Sequence, residues 1–323
     1  MKPGKRVVFL GSKSMGLRCL WEIYRLSPGS LSAVVTVDDS GDARSVLSDF
    51  RRFCLNQSIL FYIAKRRQEA EKYIRQLSPD LCIVVGWYWL ISQKNLASVP
   101  GGFLGIHNSL LPKYRGGAPF NWAIMNGEKE IGISLFSLTD KMDAGDIWAQ
   151  ASMKLKDSHT ISDVLKRMEP SAAGLFRKHY LDILKGRLTP SPQDHSKATV
   201  GAQRRPEDGL IDWKKTSGEI YNFIRAQSRP YPGAFTFFKK KKLVIWKARK
   251  SETARMGCPG QVVKAGCGGL TVICGDDKPL ILTEIELNGK TVPPAAVNGA
   301  VGVAGLPLVL GGPAPRKENR GIK

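Results

Sequence analysis

The sequence predicts an α/β protein in which a doubly wound, mostly parallel sheet is followed by a small β-barrel. Three observations carry this. Apolar strand-like runs alternate with helical runs through the first 188 residues, as in a parallel sheet covered on both faces. Between residues 209 and 290, short strand-like runs follow one another with turns between them, as in a small barrel. Between these regions, "RLTPSPQDHSKATVGAQRRPEDG" mixes polar residues with Pro and Gly and reads as a linker. The expected organisation is a first domain over 1–188, a linker over 189–208, a barrel over 209–290 and a loose extension over 291–323.

Taken in order, "RVVFLGS" is a buried-strand pattern with a Gly turn, and "MGLRCLWEIYRL" is a helix. "LSAVVTV" is a strand, "ARSVLSDFRRFCLN" and "EAEKYIRQL" are helices, and "DLCIVVG" is a strand. "GFLGIHN", "IGISLFSLT" and "IWAQASMKL" are further strands. "TISDVLKRMEPSAAGLFRKHYLDILKG" is a long helical stretch that Pro170 is expected to kink or split. Beyond the linker, "GEIYNFIRAQ" is a short helix, and "GAFTFF", "KLVIWKAR", "GQVVKAG", "LTVICG" and "LILTEIEL" are the five barrel strands.

With 42% hydrophobic residues among 323, the chain can build a sizeable core. The N-terminal residues are too poor in apolar side chains for a signal peptide, and no run of 18 uninterrupted apolar residues exists, so a cytoplasmic protein with no membrane partner is expected. Six cysteines without a CxxC pair, and with no histidine near Cys258, Cys267 or Cys274, argue for reduced thiols and no metal. The net charge of +21 is high. Residues 196–255 hold 15 Lys/Arg against 5 Asp/Glu, a surface that suits a polyanion as well as it suits a solvated hairpin.

The first strand ends in "GSKSMG", which is neither GxGxxG nor a phosphate loop followed by Lys-Ser/Thr, so nothing points to NAD or ATP. His107 closes a predicted strand, and Asp143 lies at the end of the next strand region. Ligands of open α/β sheets sit at that strand edge. There an aspartate can orient an imidazole and let it move protons near neutrality.

"HNSLLPKYRGGAPFNWAIMNGE", followed by "GISLFSLTDKMDAGDI", closely resembles the folate-dependent formyltransferase family, and the similarity extends over nearly the whole chain. "VVFLGS" with "GLRCL" looks like the family's first strand and helix, while "RRPEDGLIDW" with "RPYPGAFTF" looks like its C-terminal domain. The resemblance implies a Rossmann-like catalytic domain with an OB-like barrel, and transfer of a formyl group from N10-formyltetrahydrofolate to a primary amine. It puts His107 and Asp143 in the places of the family's catalytic histidine and aspartate. It also implies a formyl-donor site lined by Gly86, Trp87 and Tyr88, with Leu110, Pro112 and Asp140 contributed by "SLLP" and "TDKMDAGD".

One position departs from the pattern. The family's asparagine stands two residues before the histidine, and here that residue is Gly105. An oxyanion donor is worth on the order of 10²–10³ in rate. Three readings remain: Asn108 supplies the amide, although strand alternation sends it to the opposite face from His107; backbone N–H groups, a protonated His107 or water replace it; or the protein is a non-catalytic folate or RNA binder. The acceptor is equally open. The charge and two-domain plan suit methionyl-tRNA. An acidic "VDDSGDARSVL" where tRNA-formylating relatives often carry a basic insertion suits an amino-sugar nucleotide. Arg115, Arg204 and Arg205 are the expected acceptor-side cations.

Overall fold

The computed structural model describes residues 5–238, 241–251, 253–300 and 310–311. The chain divides into two units. Met1–Ala123, Lys129–Lys156 and Asp163–Gln203 form the first, and Ile124–Glu128, Asp157–Ser162 and Arg204–Lys323 form the second.

In the first unit, β1 (Val7–Gly11), α1 (Lys13–Leu26), β2 (Leu31–Val37), α2 (Leu47–Asn56), β3 (Leu60–Ala64), α3 (Arg67–Leu77), β4 (Leu81–Val85), α4 (Gln93–Ser98) and β5 (Phe103–His107) alternate along the chain. β6 (Arg115–Gly116), α5 (Pro119–Met125), β7 (Glu130–Ser137), β8 (Ile147–Lys154), α6 (Ile161–Leu184) and β9 (Val200–Gly201) follow, the end of α5 and the start of α6 being counted with the second unit. The seven-stranded sheet runs β3-β2-β1-β4-β5-β7-β8. Its first five strands are parallel and β7 and β8 are antiparallel. β1 and β4, at the centre, are apolar throughout because both faces are covered. Val8 and Leu10 pack with Ala33, Val35 and Cys82 on one face, while Phe9 turns the other way toward Phe50. Strand order reverses between β1 and β4, so a crevice is expected beyond their C-terminal ends.

The sequence reading omitted β3, a half-exposed edge strand without alternation. It also omitted α4 and α5, which are too short to show a period. Pro170 does not split its helix. α6 is continuous over 24 residues. A proline inside a helix costs about 3 kcal/mol, and burial of Val164, Met168, Ala172, Phe176 and Tyr180 offsets that amount.

The second unit contains α7 (Ser217–Gln227), β10 (Ala234–Phe238), β11 (Lys241–Lys250), β12 (Val262–Gly266), β13 (Gly269–Ile273), β14 (Pro279–Leu287) and β15 (Lys290–Val292). Thr216 and Glu219 cap α7 reciprocally. The strands form one antiparallel sheet, β10-β11-β14-β13-β12, with β15 on β14. Its core joins Ile220 and Ile224 of α7 to Leu243, Ile245, Leu270, Val272, Leu280 and Leu282. No ladder joins β10 to β12 among the described residues. Instead, Leu310 N–H donates to Gly260 O and Gly311 N–H to Phe237 O. Of the stretch 291–323, residues 301–309 and 312–323 lie outside the described residues. Val297 and Leu310 are buried in the core. No described helix is long and apolar enough to cross a membrane.

Candidate active site

His107 is the last residue of β5, and strand pairing sets it opposite Ser134 on β7. Its ring is buried, edge-on to Phe136. Nε2 lies 2.7 Å from the carbonyl oxygen of Tyr114. A carbonyl only accepts, so Nε2 carries a proton and donates it there. The other nitrogen, Nδ1, faces Asp143 Oδ2 at 3.5 Å. The same carboxylate oxygen accepts the backbone N–H of Gly116 at 2.7 Å. The structure thus brings His107 and Asp143 together from 36 residues apart in the chain.

Serine hydroxyls hold the loop after β5. The fully buried Ser134 Oγ donates to Ser109 O and accepts from Leu111 N–H and from the Gln150 amide. Ser109 Oγ closes a turn onto Lys113 O. Tyr114 and Ala118 then adopt left-handed backbone with φ of 57° and 49°, and Asp143 does so with φ of 48°. Such conformations cost about 1–3 kcal/mol and persist only where the surroundings impose them.

Gly86, with φ of 67°, ends β4 against β1: an added Cβ would lie 2.6 Å from Ser12 O. Close backbone approach therefore accounts for this glycine. Trp87 follows, crossed by Trp89, and its indole Nε1 is buried without a hydrogen-bond partner. Asn108, just past the neighbouring strand, has a side-chain oxygen in the same condition. Tyr88 is half-exposed, with the Lys13 ammonium 5.5 Å from its ring centre. Lys13 itself sits in left-handed backbone and is ion-paired to Asp39 (2.7 Å) and Asp42 (2.8 Å). Burial would lower its pKa, but the two carboxylates outweigh that and raise it. Leu110 lies over Gly132, Pro112 O accepts Thr199 N–H, and Asp140 is exposed.

Gly105 faces the same side of the sheet as His107, two residues on. The space a side chain would need is filled. An added Cβ would lie 2.5 Å from Leu138 Cδ1 and 3.2 Å from Phe136 Cε1.

Arg115 does not reach the His107–Asp143 pair among the contacts described. Its guanidinium donates to Gln193 Oε1 at 2.7 and 3.2 Å and to His195 Nδ1 at 2.8 Å. Arg204 and Arg205 belong to the second unit. Arg204 donates to Asp208 O and Gln227 Oε1, and burial lowers its pKa. Arg205 is exposed, and its backbone N–H is capped by Asp208. Sequence reasoning missed Ser134, Gln193 and Thr199. Thr199 accepts Tyr114 N–H on its hydroxyl and Arg115 N–H on its carbonyl. A serine, a glutamine and a threonine in polar or strand context carry no periodic signal.

A profile described as "Formyl transferase" matches residues 34–177, and one described as "Formyl transferase, C-terminal domain" matches 204–299. A methionyl-tRNA formyltransferase of Acetivibrio thermocellus is 31% identical over 291 residues, which is 88% of this chain and 93% of that one. The bifunctional polymyxin resistance protein ArnA of Wigglesworthia glossinidia brevipalpis is 33% identical over 240 residues, covering 73% of this chain and 36% of that one. Among solved structures, an N-formyltransferase from Helicobacter canadensis in complex with folinic acid and dTDP-3-aminofucose superposes with a TM-score of 0.66 at 19% identity. That match covers 86% of this chain and 98% of the other, a likeness of fold.

Proposed function

We propose, for a chain that belongs to the formyl transferase family, that the amine it formylates is that of methionyl-tRNA. The protein is a formyl-transferring enzyme. The convergence of His107 and Asp143 supports the reading that this pair serves the chemistry.

The formyl carbon is supplied by N10-formyltetrahydrofolate. Two buried polar atoms without partners, the Trp87 indole N–H and the Asn108 amide oxygen, suit the polar edge of such a heterocycle, with Gly86, Tyr88, Leu110, Pro112 and Asp140 as the remaining residues that would hold it. His107 accepts the proton that leaves the attacking amine. With Nε2–H committed to Tyr114 O, Nδ1 is the nitrogen that takes it. Asp143, steadied by Gly116 N–H, stabilises the positive charge that then forms on the ring. The proton passes on to the departing nitrogen.

For the acceptor, the supporting observation is the cationic row on β11. Lys241, Lys242, Lys247, Arg249 and Lys250 are all exposed there. Lys242 lies 4.3 Å from the centre of the buried Phe235 ring and Lys250 5.0 Å from that of the partly buried Tyr221, so it is the row of charges that suits RNA phosphates. An amino-sugar nucleotide is the second reading. It is favoured by the segment Asp38–Ser45, whose carboxylates Asp39 and Asp42 are held by Lys13. No basic insertion extends from this strand end.

The test is an acceptor screen. The purified protein is mixed with N10-formyltetrahydrofolate and either methionyl-tRNA or an amino-sugar nucleotide, and release of tetrahydrofolate is followed. Turnover with methionyl-tRNA, lost in His107→Ala, is expected. Turnover confined to the sugar nucleotide refutes the acceptor, and full activity of His107→Ala refutes the chemistry.

A further inference from the structure

We propose that Gln193 is a positioning residue for formyl transfer, holding the turn that carries Asp143 in the conformation that aims its carboxylate at His107. The proposal rests on the reading that His107 and Asp143 move the proton.

Asp143 needs holding. Its left-handed backbone is one that aspartate leaves readily when nothing opposes it. The turn is also tight, since a Cβ at Gly145 would lie 1.9 Å from Ser137 O. Gln193 is buried and spans this turn from outside it. Its amide nitrogen donates to Asp143 O at 2.9 Å and to Gly145 O at 2.6 Å. Its amide oxygen accepts from Arg115. Both amide hydrogens and the oxygen are therefore engaged. The glutamine is itself anchored, because Ser191 and Ile147 exchange two backbone hydrogen bonds of 2.8 Å.

Further along the same segment, Thr199 and Gly201 accept the N–H groups of Arg115 and Gly117, and Thr199 Oγ1 accepts that of Tyr114. Tyr114 supplies the carbonyl that His107 uses, and Gly116 supplies the N–H that Asp143 uses. One strap, residues 191–201, thus grips both walls of the pair, and Gln193 is the side chain through which it reaches the Asp143 wall.

The experiment compares Gln193→Glu and Gln193→Met with wild type, taking His107→Ala and Asp143→Asn as references. Glutamate is isosteric and keeps a partner for Arg115, but its oxygens face two carbonyls to which they cannot donate. Methionine removes both roles without burying a charge, and it carries the comparison should the glutamate variant not fold. A misplacement of about 1 Å costs on the order of 10²-fold in rate. The expected result is a fall of that order in kcat per folded molecule for both variants. KM for donor and amine should stay within about threefold, and the pH profile of kcat should move, because the Asp143 carboxylate no longer faces Nδ1. The inference is overturned if either folded variant keeps kcat within about twofold, or if the loss is confined to KM or melting temperature. Should His107→Ala and Asp143→Asn be inactive while Gln193→Met is not, this inference alone fails. Activity in His107→Ala removes the reading beneath it, and the inference with it.

Discussion

Restoring an asparagine at position 105 tests whether Leu138 has taken over the space of a side chain. Carbon atoms in contact sit about 3.5–4.0 Å apart, and the 2.5 Å between an added Cβ and Leu138 Cδ1 falls short of that. The Leu138 methyl can rotate away. The Phe136 ring at 3.2 Å and the Val84 carbonyl at 3.5 Å have less freedom, because both belong to strands paired with β5. Gly105→Ala is expected to destabilise by about 1–2 kcal/mol and Gly105→Asn by about 2–3 kcal/mol, the usual range for overpacking. The latter lowers the melting temperature by about 4–12 °C. Leu138→Ala costs about 1–2 kcal/mol by itself, since Leu138 is only partly buried. The double variant Gly105→Asn/Leu138→Ala should regain about 1 kcal/mol relative to the sum. Denaturant unfolding of the four proteins measures that coupling directly. If the restored amide donates to the developing oxyanion, kcat of the double variant exceeds that of Leu138→Ala by tenfold or more. Additivity within about 0.3 kcal/mol, or wild-type stability in Gly105→Asn, would refute the steric argument.

Asn108→Ala is expected to hold kcat within about threefold and to raise KM for the formyl donor, because its buried, unpartnered amide oxygen suits the donor's polar edge; a fall above about 10² in kcat in steady-state assays would instead make Asn108 the oxyanion donor. Glu22→Gln should destabilise by about 1–2 kcal/mol at pH 7, since Arg177, aided by Arg25, pulls the buried Glu22 carboxyl down to about 2. A depressed carboxylate stabilises above its unfolded pKa, so the gap between the two unfolding curves should stay constant above about pH 4.5 and close as pH falls toward 2. Charge reversal at Lys241 and Lys242 should weaken tRNA binding about equally for all sequences and make the log–log salt slope shallower by roughly 1–2, read by filter binding across a salt series.

The parallel sheet was legible because β1 and β4 are apolar at every position, β2 at every position but Ser32 and Thr36, and all three are bounded by turns. β3 was not. "LFYIA" is as apolar as its neighbours, but as an edge strand it is covered unevenly and carries no alternation. α5 was hidden for a different reason. Its sequence directly follows "RGG", and the left-handed Ala118 turns the loop into the helix that Pro119 opens. His107 was found because strand ends collect ligands and because its surrounding motif is specific. Gln193 had no such marker. Its partners are backbone carbonyls 48 and 50 residues away, which no local pattern records.

The left-handed residues explain why the site needs so much support from elsewhere in the chain. Tyr114 and Asp143 flank one imidazole, Ala118 lies in the same loop as Tyr114, and none is glycine. A glycine at any of these positions would remove the conformational cost and also widen what the loop can sample in the unfolded and native states. The strain is instead met by bonds that exist only when the 191–201 strap is docked: Thr199 to Tyr114, Gly201 to Gly117, Gln193 to Asp143. Undocking any one of them leaves a strained residue free to relax, and relaxation at Tyr114 withdraws the carbonyl that fixes the His107 tautomer. The tautomer decides whether the nitrogen that faces Asp143 carries a hydrogen. Through Gln193 and Thr199, the strap thus holds the geometry of the His107–Asp143 pair from far along the sequence.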